Sequence, residues 1–200
     1  LHCFGANGQG ELAGATAAAF SALPLPMPAQ GVVQAVVGTG KVCALFLDGG
    51  VGCWGAGAAP TLFSSSLPEP ARTIILGDDF TCALGLSGSL TCSCAQAGAC
   101  PPRVPPAVLA AGFRDVVARG ANFCGLGQAD AGFMPGRVRC YGPTIDGGVL
   151  SMAATDVTVG VGHACWFEPT GVLVGRFRCL GSTIARGPFD GGETTSGLLL

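Results

Sequence analysis

Cysteine recurs along this 200-residue chain in a mirrored pattern, and nothing else in the sequence restricts its fold as strongly. Four cysteines are each followed two residues later by a large apolar residue. They are Cys43 with Leu45, Cys82 with Leu84, Cys124 with Leu126, and Cys165 with Phe167, spaced 39, 42 and 41 residues apart. Before each lies a β-rich stretch: Val32 to Val37, Thr73 to Leu76, Asp115 to Ala118, and Asp156 to Val159. A glycine closes each stretch: Gly38, Gly77, Gly120 and Gly160. After each the order reverses, apolar residue then cysteine: Val51 and Cys53, Leu90 and Cys92, Val138 and Cys140, Phe177 and Cys179. A bulky residue and a glycine usually follow: Trp54-Gly55, Tyr141-Gly142, Leu180-Gly181. The second unit departs from this, reading Ser93-Cys94.

The mirror has a physical reading. Strand side chains alternate faces with a period of two, so Cys43 and Leu45 share a face, as do Val51 and Cys53. Asp48-Gly49-Gly50 between them is turn chemistry. Folded as a hairpin, residue 45 meets 51 and residue 43 meets 53. The second unit does the same, and in the third and fourth the connection lengthens while the facing pairs persist. Each unit reads as a short strand, a cysteine-flanked hairpin, and a looser Gly/Pro-rich connection. A period of about 40 with several short strands per unit is the signature of a β-propeller. Helical solenoids share the period but need amphipathic helices. The chain has almost none; Ala107 to Ala111 is at most a brief helical turn.

Composition narrows the class further. Gly is 34 and Pro 14, which excludes bundles and coiled coils. Net charge is −2 with charged residues at 11%, so no basic face can neutralise phosphates and nucleic acid is not an expected partner. The apolar content of 49% is wrong for disorder. The longest apolar stretch, Leu12 to Gly38, is broken by Pro24, Pro26, Pro28 and Gln30. It is neither a spanning helix nor a signal peptide, and no membrane contact is expected of this segment.

The units resemble the repeats of the regulator-of-chromosome-condensation family. The resemblance lies in Val37-Gly38-Thr39-Gly40-Lys41-Val42-Cys43-Ala44-Leu45 with Asp48-Gly49-Gly50-Val51-Gly52-Cys53-Trp54-Gly55. Phe4-Gly5-Ala6-Asn7-Gly8-Gln9-Gly10-Glu11-Leu12 is similar to that family's Trp-Gly-x-Asn segment, with Phe4 for the tryptophan and Glu11 displacing the leucine. Phe123-Cys124-Gly125-Leu126 with Val138-Arg139-Cys140-Tyr141-Gly142 is similar to the cysteine-paired repeats of Crinkly-type plant receptor kinase ectodomains. The resemblance is weakest over 13–31, 94–112 and 182–200. It implies an all-β propeller of this repeat type, partial, with about four and a half blades where the family has about seven. The repeats fall at 32–72, 73–112, 113–153 and 154–200, after a half repeat and linker at 1–31, in a single repeat domain. Leu1 reads as lying inside a strand, so the chain reads as a fragment or processed piece.

The hairpins assign eight cysteines to four disulfides: Cys43–Cys53, Cys82–Cys92, Cys124–Cys140 and Cys165–Cys179. Non-hydrogen-bonded cross-strand neighbours lie close enough for such bridges. Cys94 and Cys100 bracket five residues and are expected to close a fifth. Cys3 is left unpaired at the second-cysteine position of its unit, and its partner is expected roughly 10–16 residues upstream. So many bridges place the protein in an oxidising compartment, extracellular or lumenal. Two rivals stand beside this reading. Cys92, Cys94 and Cys100 could be thiolate ligands, but zinc wants two C-x₂₋₄-C pairs, which are absent. All the thiols could instead be plain core residues of a cytosolic protein.

No catalytic constellation assembles. His163, two residues before a hairpin cysteine, reads as structural, and His2 beside Cys3 has no nucleophile if the cysteines are bridged. Asp78-Asp79 are adjacent and point apart, as in a solvated loop. Gly38-x-Gly40-Lys41 fails as a phosphate loop, with Ala35 and Val42 at required positions. Arg137, Arg139, Arg176 and Arg178 flank Val138 and Phe177 and read as a solvated outer face, or as a small anion-binding patch. No cofactor and no metal are expected. The chain reads as a non-catalytic module that binds a protein or peptide, secreted or part of a receptor ectodomain, with binding expected at loops 94–100, 127–137 and 168–176. The alternative is an intracellular propeller scaffold or small-GTPase exchange-factor-like protein with reduced cysteines. A secreted hydrolase is the third possibility. An incomplete ring leaves end sheets uncovered, so self-association is expected.

Overall fold

The structure, a computed structural model, describes residues 1–13, 17–27, 30–55, 58–62, 67–78, 80–94, 112–127, 136–143, 145, 148–151, 154–170, 174–181 and 194–195. Among these every regular element is a β-strand. The chain divides into two compact units, Leu1–Leu76 and Gly77–Leu200.

In the first unit, β1 (His2–Ala6) pairs with β2 (Phe20–Pro26). A four-stranded antiparallel sheet follows: β3 (Val32–Gly38), β4 (Lys41–Phe46), β5 (Val51–Gly55) and β6 (Ala58–Leu62). β7 (Ala71–Leu76) ends the unit. The second unit opens with the hairpin β8 (Phe80–Gly85) and β9 (Leu90–Cys94). Two four-stranded antiparallel sheets complete it. One is β10 (Phe113–Arg119), β11 (Asn122–Gly127), β12 (Val138–Tyr141) and β13 (Gly148–Ser151). The other is β14 (Asp156–Val159), β15 (His163–Pro169), β16 (Gly175–Gly181) and β17 (Thr194–Thr195).

Local chemistry explains the hairpins. Val, Ile and Phe favour the pleated conformation, and the turn residues end it. At Asp48-Gly49-Gly50 the Gly50 N–H donates to Asp48 Oδ1 at 2.8 Å, an Asx turn. The register is the mirror read from the sequence. Leu45 lies opposite Val51, Leu84 opposite Leu90, Leu126 opposite Val138, and Phe167 opposite Phe177.

Several features differ from the sequence reading. A fourth strand (β6, β13 or β17) closes three of the repeats where a loose connection was expected. A strand also runs through the Pro-rich 20–26 stretch. Both differences come from edge strands. β2 pairs on one side only and bulges opposite Phe4, so Pro24 and Pro26 cost it no ladder bond. Both ends of the stretch 168–176 are strand rather than loop, because Glu168 pairs with Arg176 and Pro169 with Gly175; 171–173 lie outside the described residues. β1 begins at His2, and Leu1 contributes its carbonyl to the Met27 N–H at 3.0 Å. The turn at 107–111 lies outside the described residues.

Burial is also two-sided. Val42, Cys43, Ala44 and Leu45 are consecutive along β4 and all buried. In a stack of small sheets the neighbours cover both faces, so alternation gives way to continuous apolar runs. In the first unit Met27, Val42, Ala44 and Trp54 form one cluster, with Cys3 packed on it. In the second, Cys124, Leu126, Val138, Cys140 and Ile145 pack with Ala154, Val157, Ala164 and Trp166.

Within each unit, polar contacts reach from one repeat to the next. The Gln34 amide oxygen accepts from Ile74 N at 2.9 Å and Thr73 Oγ1 at 3.0 Å, and its Nε2 donates to the Ile74 carbonyl at 3.1 Å. Buried Asn122 donates to the carbonyls of Val161 at 2.7 Å and Gly160 at 3.2 Å. Replacing Asn122 by alanine is expected to cost about 1–2 kcal/mol, since it removes two bonds from a buried amide. Denaturant unfolding measures this, and an unchanged midpoint would show the contacts to be incidental.

Candidate functional site

The functional geometry centres on the paired cysteines, because they define which sheet faces pack and which stay open. Cys43 lies directly opposite Cys53, Cys82 opposite Cys92, Cys124 opposite Cys140, and Cys165 opposite Cys179. Each pair is disulfide-bonded, with Cα atoms 4.0–4.1 Å apart. Such separations belong to the narrow, non-hydrogen-bonded class of antiparallel pair, where side chains approach most closely. Cys94 ends β9, and its expected bridge to Cys100 lies outside the described residues. Cys3 is a free thiol, half-buried on β1. Partial burial pushes its pKa up, and the nearby N-terminal ammonium only partly offsets this.

The glycine after the second cysteine has a steric cause. At Gly55, with φ +98°, a Cβ atom would sit 2.3 Å from the Gly40 carbonyl oxygen. The turn between β3 and β4 therefore lies directly on it. Gly142 and Gly181 stand under the same pressure, from Asn122 and from Gly162 and His163. The structure also contains a recurrent hook that the sequence reading missed. The turn glycine of a hairpin accepts a backbone hydrogen bond from the start of the next repeat. Ala71 N bonds to Gly49 O at 2.9 Å, Phe113 N to Gly88 O at 2.7 Å, and Ala154 N to Gly136 O at 2.7 Å. All three glycines have φ between +74° and +86°. The Asp48-Gly49-Gly50 turn signal was visible in the sequence, but the acceptor role of its glycine was not.

The hairpin-turn end of the first unit presents an open groove of about 520 Å³, lined by Gln30, Gly31, Phe46, Leu47 and Asp48. Leu47 there is exposed, as is Leu86 at the matching turn of the second repeat. Of the loops expected to bind, 95–100 and 128–135 lie outside the described residues.

The other residues singled out from the sequence are dispersed. A Cβ atom on Gly160 would sit 2.5 Å from the His163 ring, and the two residues share a turn in which Gly160 N donates to His163 O at 2.8 Å. Asp78 is exposed and its N–H donates to Gly120 O at 2.9 Å, while Asp79 lies outside the described residues. Half-burial pushes the pKa of Lys41, the chain's single lysine, down. The arginine face is not simply solvated. Arg178 lies opposite buried Trp166, and Glu168 takes both the Arg178 Nε–H at 2.9 Å and the Trp166 indole N–H at 2.8 Å. Phe177, expected to be buried, is half exposed. Among the described residues no group of three or more His, Cys, Asp or Glu side chains stands close enough to hold a metal ion. No helix among them is long and apolar enough to cross a membrane.

No protein-family profile matches the chain, and no curated protein sequence matches it. Solved structures do match. The Crinkly WD40 ectodomain of the Arabidopsis thaliana receptor kinase ACR4 superposes with a TM-score of 0.60 at 20% identity, over 84% of this chain and 57% of that one. The ectodomain of the Physcomitrella patens receptor kinase CR4 gives 0.57 at 23% identity, over 84% and 46%. Yeast RCC1 (Prp20), solved with Kap60 bound to it, gives 0.69 at 13% identity, over 90% and 51%. The fold is therefore an all-β propeller of the chromosome-condensation-regulator repeat type. The chain spans about half the length of each of these structures.

Proposed function

We propose that the chain is a non-catalytic module that binds a protein or peptide, and that it belongs to a secreted protein or a receptor ectodomain. Four cysteine pairs in equivalent cross-strand register carry this reading, because bridges in such number persist only where thiols are oxidised. The fold shared with two plant receptor kinase ectodomains supports it. Exposed Leu47 and the groove beside it make the hairpin-turn end the favoured docking surface. Cys94 and Cys100 are assigned to a fifth bridge.

The second reading is an intracellular scaffold or exchange-factor-like protein with reduced cysteines. Its support is the similarity to yeast Prp20, which was solved in complex with Kap60.

Counting thiols separates the two. Alkylation of the unreduced, denatured chain, read by mass spectrometry, is expected to label Cys3 alone of the eleven cysteines. Eleven labelled thiols in protein freshly isolated from its natural compartment would overturn the first reading. In the native chain the same reaction is expected to need a higher pH than an ordinary thiol does. The thiolate is the reactive form, and burial raises the Cys3 pKa. The sign for stability follows. The native state holds this proton more tightly than the unfolded state does. The contribution is therefore present at low pH and is lost as pH rises through the raised value.

A further inference from the structure

Asn7 holds the segment after β1 with its whole side-chain amide. Its Oδ1 accepts from the Leu12 N–H at 2.8 Å, and its Nδ2 donates to the Ala18 carbonyl at 2.9 Å. Its backbone joins in. Asn7 N donates to Ala19 O at 2.8 Å, and Asn7 O accepts from Gly10 N at 3.2 Å. The held segment reaches the core of the first unit. Leu12 is buried, and the Glu11 carbonyl beside it accepts the indole N–H of buried Trp54 at 2.7 Å.

The residue after Asn7 is glycine, and that dipeptide is chemically labile. The backbone nitrogen that follows an asparagine can attack the side-chain carbonyl carbon. Glycine hinders this attack least, because it has no Cβ and its backbone bends freely. Gly8 also stands in open space, where an added Cβ would meet nothing within 4 Å. The other asparagine, Asn122, offers none of this: it is buried and precedes bulky Phe123.

We infer that Asn7 is a site of spontaneous deamidation, that the fold guards it, and that its conversion releases the segment it holds. The Gly8 nitrogen loses its proton and bonds to Asn7 Cγ. The Cγ–Nδ2 bond breaks, and Nδ2 leaves as ammonia with that proton. Water then opens the cyclic imide at one of its two carbonyls. The product is aspartate, or isoaspartate with one more carbon in the main chain. Water is the only co-reactant, so the redox state of the cysteines has no part in it. In the folded chain the amide must leave both Leu12 and Ala18 before it can turn toward Gly8, so reaction proceeds through local opening. In the aspartate product a carboxylate oxygen replaces Nδ2 and faces the Ala18 carbonyl. A donor meeting an acceptor becomes two acceptors meeting, so the side chain turns away and its bond to Leu12 goes with it.

Two incubations of the full chain test this, one folded and one in denaturant, at the same pH and temperature, with peptides mapped by mass spectrometry over time. The mass gain of an amide turned to an acid is expected at Asn7 and not at Asn122. It is expected to be at least about tenfold slower in the folded chain. Gly8→Ala is expected to slow it about tenfold or more in denaturant, through hindrance at the attacking nitrogen. Folded chain that has aged, separated by its added negative charge, is expected to exchange the Gly10 and Leu12 amide hydrogens at least about tenfold faster than unaged chain. Asn7→Asp is expected to do the same. Should that variant not fold, the aged chain carries the comparison, because it folded before it reacted. No mass gain at Asn7 overturns the site. Equal rates in the folded and denatured chain overturn the guarding, and unchanged exchange after ageing overturns the release.

Discussion

Replacing Gly55 by alanine is expected to destabilise the chain by about 3–5 kcal/mol and to lower its melting temperature by roughly 6–20 °C. Two costs add. The position has φ +98°, where an L-residue meets its own backbone. The new Cβ would also lie 2.3 Å from the Gly40 carbonyl oxygen and 3.1 Å from the Lys41 Cα. Both are backbone atoms, so the turn between β3 and β4 must move, and with it the start of the strand that carries Cys43. Relief by a side-chain rotation is not open. Gly8→Ala is the control, because Gly8 has an ordinary φ and nothing within 4 Å of an added Cβ. Thermal melts of the two variants side by side decide the matter. If they melt together, the close approach at Gly55 carries no energetic weight.

Removing the Cys124–Cys140 bridge with a double alanine substitution is expected to cost about 3–5 kcal/mol. Closing a loop of this length contributes about 3 kcal/mol through the unfolded chain. The remainder comes from the space left by two fully buried sulfurs among Leu126, Val138 and Trp166. The Cys165–Cys179 pair is the comparison. Its sequence separation is 14 against 16, which changes the loop contribution by only about a tenth of a kcal/mol. Burial is what differs, so its removal is expected to cost only the loop contribution, about 3 kcal/mol or less. The same contrast governs reduction. A mild thiol reductant acting on the folded chain is expected to open Cys165–Cys179 first, because a thiolate must reach the sulfur. Timed alkylation with peptide mapping reads the order, and simultaneous opening of both would mean that burial gives no protection.

The hairpins were legible in the sequence for a plain reason. Each is closed by residues at most 16 apart, and period-two alternation puts Cys43 and Leu45 on one face without any knowledge of the neighbours. What depends on neighbours was not legible. The alternation of Val42 with Cys43 looks like a solvated face against a core face, but a second sheet covers the first. Arg178 is exposed, as read, but its pairing with Glu168 opposite Trp166 was not visible. The strand Ala58–Leu62 carries Pro60 and has little periodicity, because an edge needs bonds on one side only. Gln34 and Asn122 give no local signal, since their partners lie about 40 residues away. The exposure of Phe177 falls in the same class: it follows the buried pattern of Val51 and Val138 in sequence, yet half of it is exposed.

The short reach of the bridges has a consequence for how the chain matures. Paired cysteines are 10–16 residues apart, whereas the next hairpin's first cysteine comes 25–32 residues after a completed pair. If the chain is secreted, as proposed above, each hairpin can therefore oxidise before its successor emerges from the translocation pore. Order of appearance, rather than a search among alternatives, selects the partners. At Cys92, Cys94 and Cys100 this timing gives little discrimination, because Cys82 meets three candidates within 18 residues. On that reading, isomerase dependence should be greater in the second repeat than in the third and fourth, which pair as they are made.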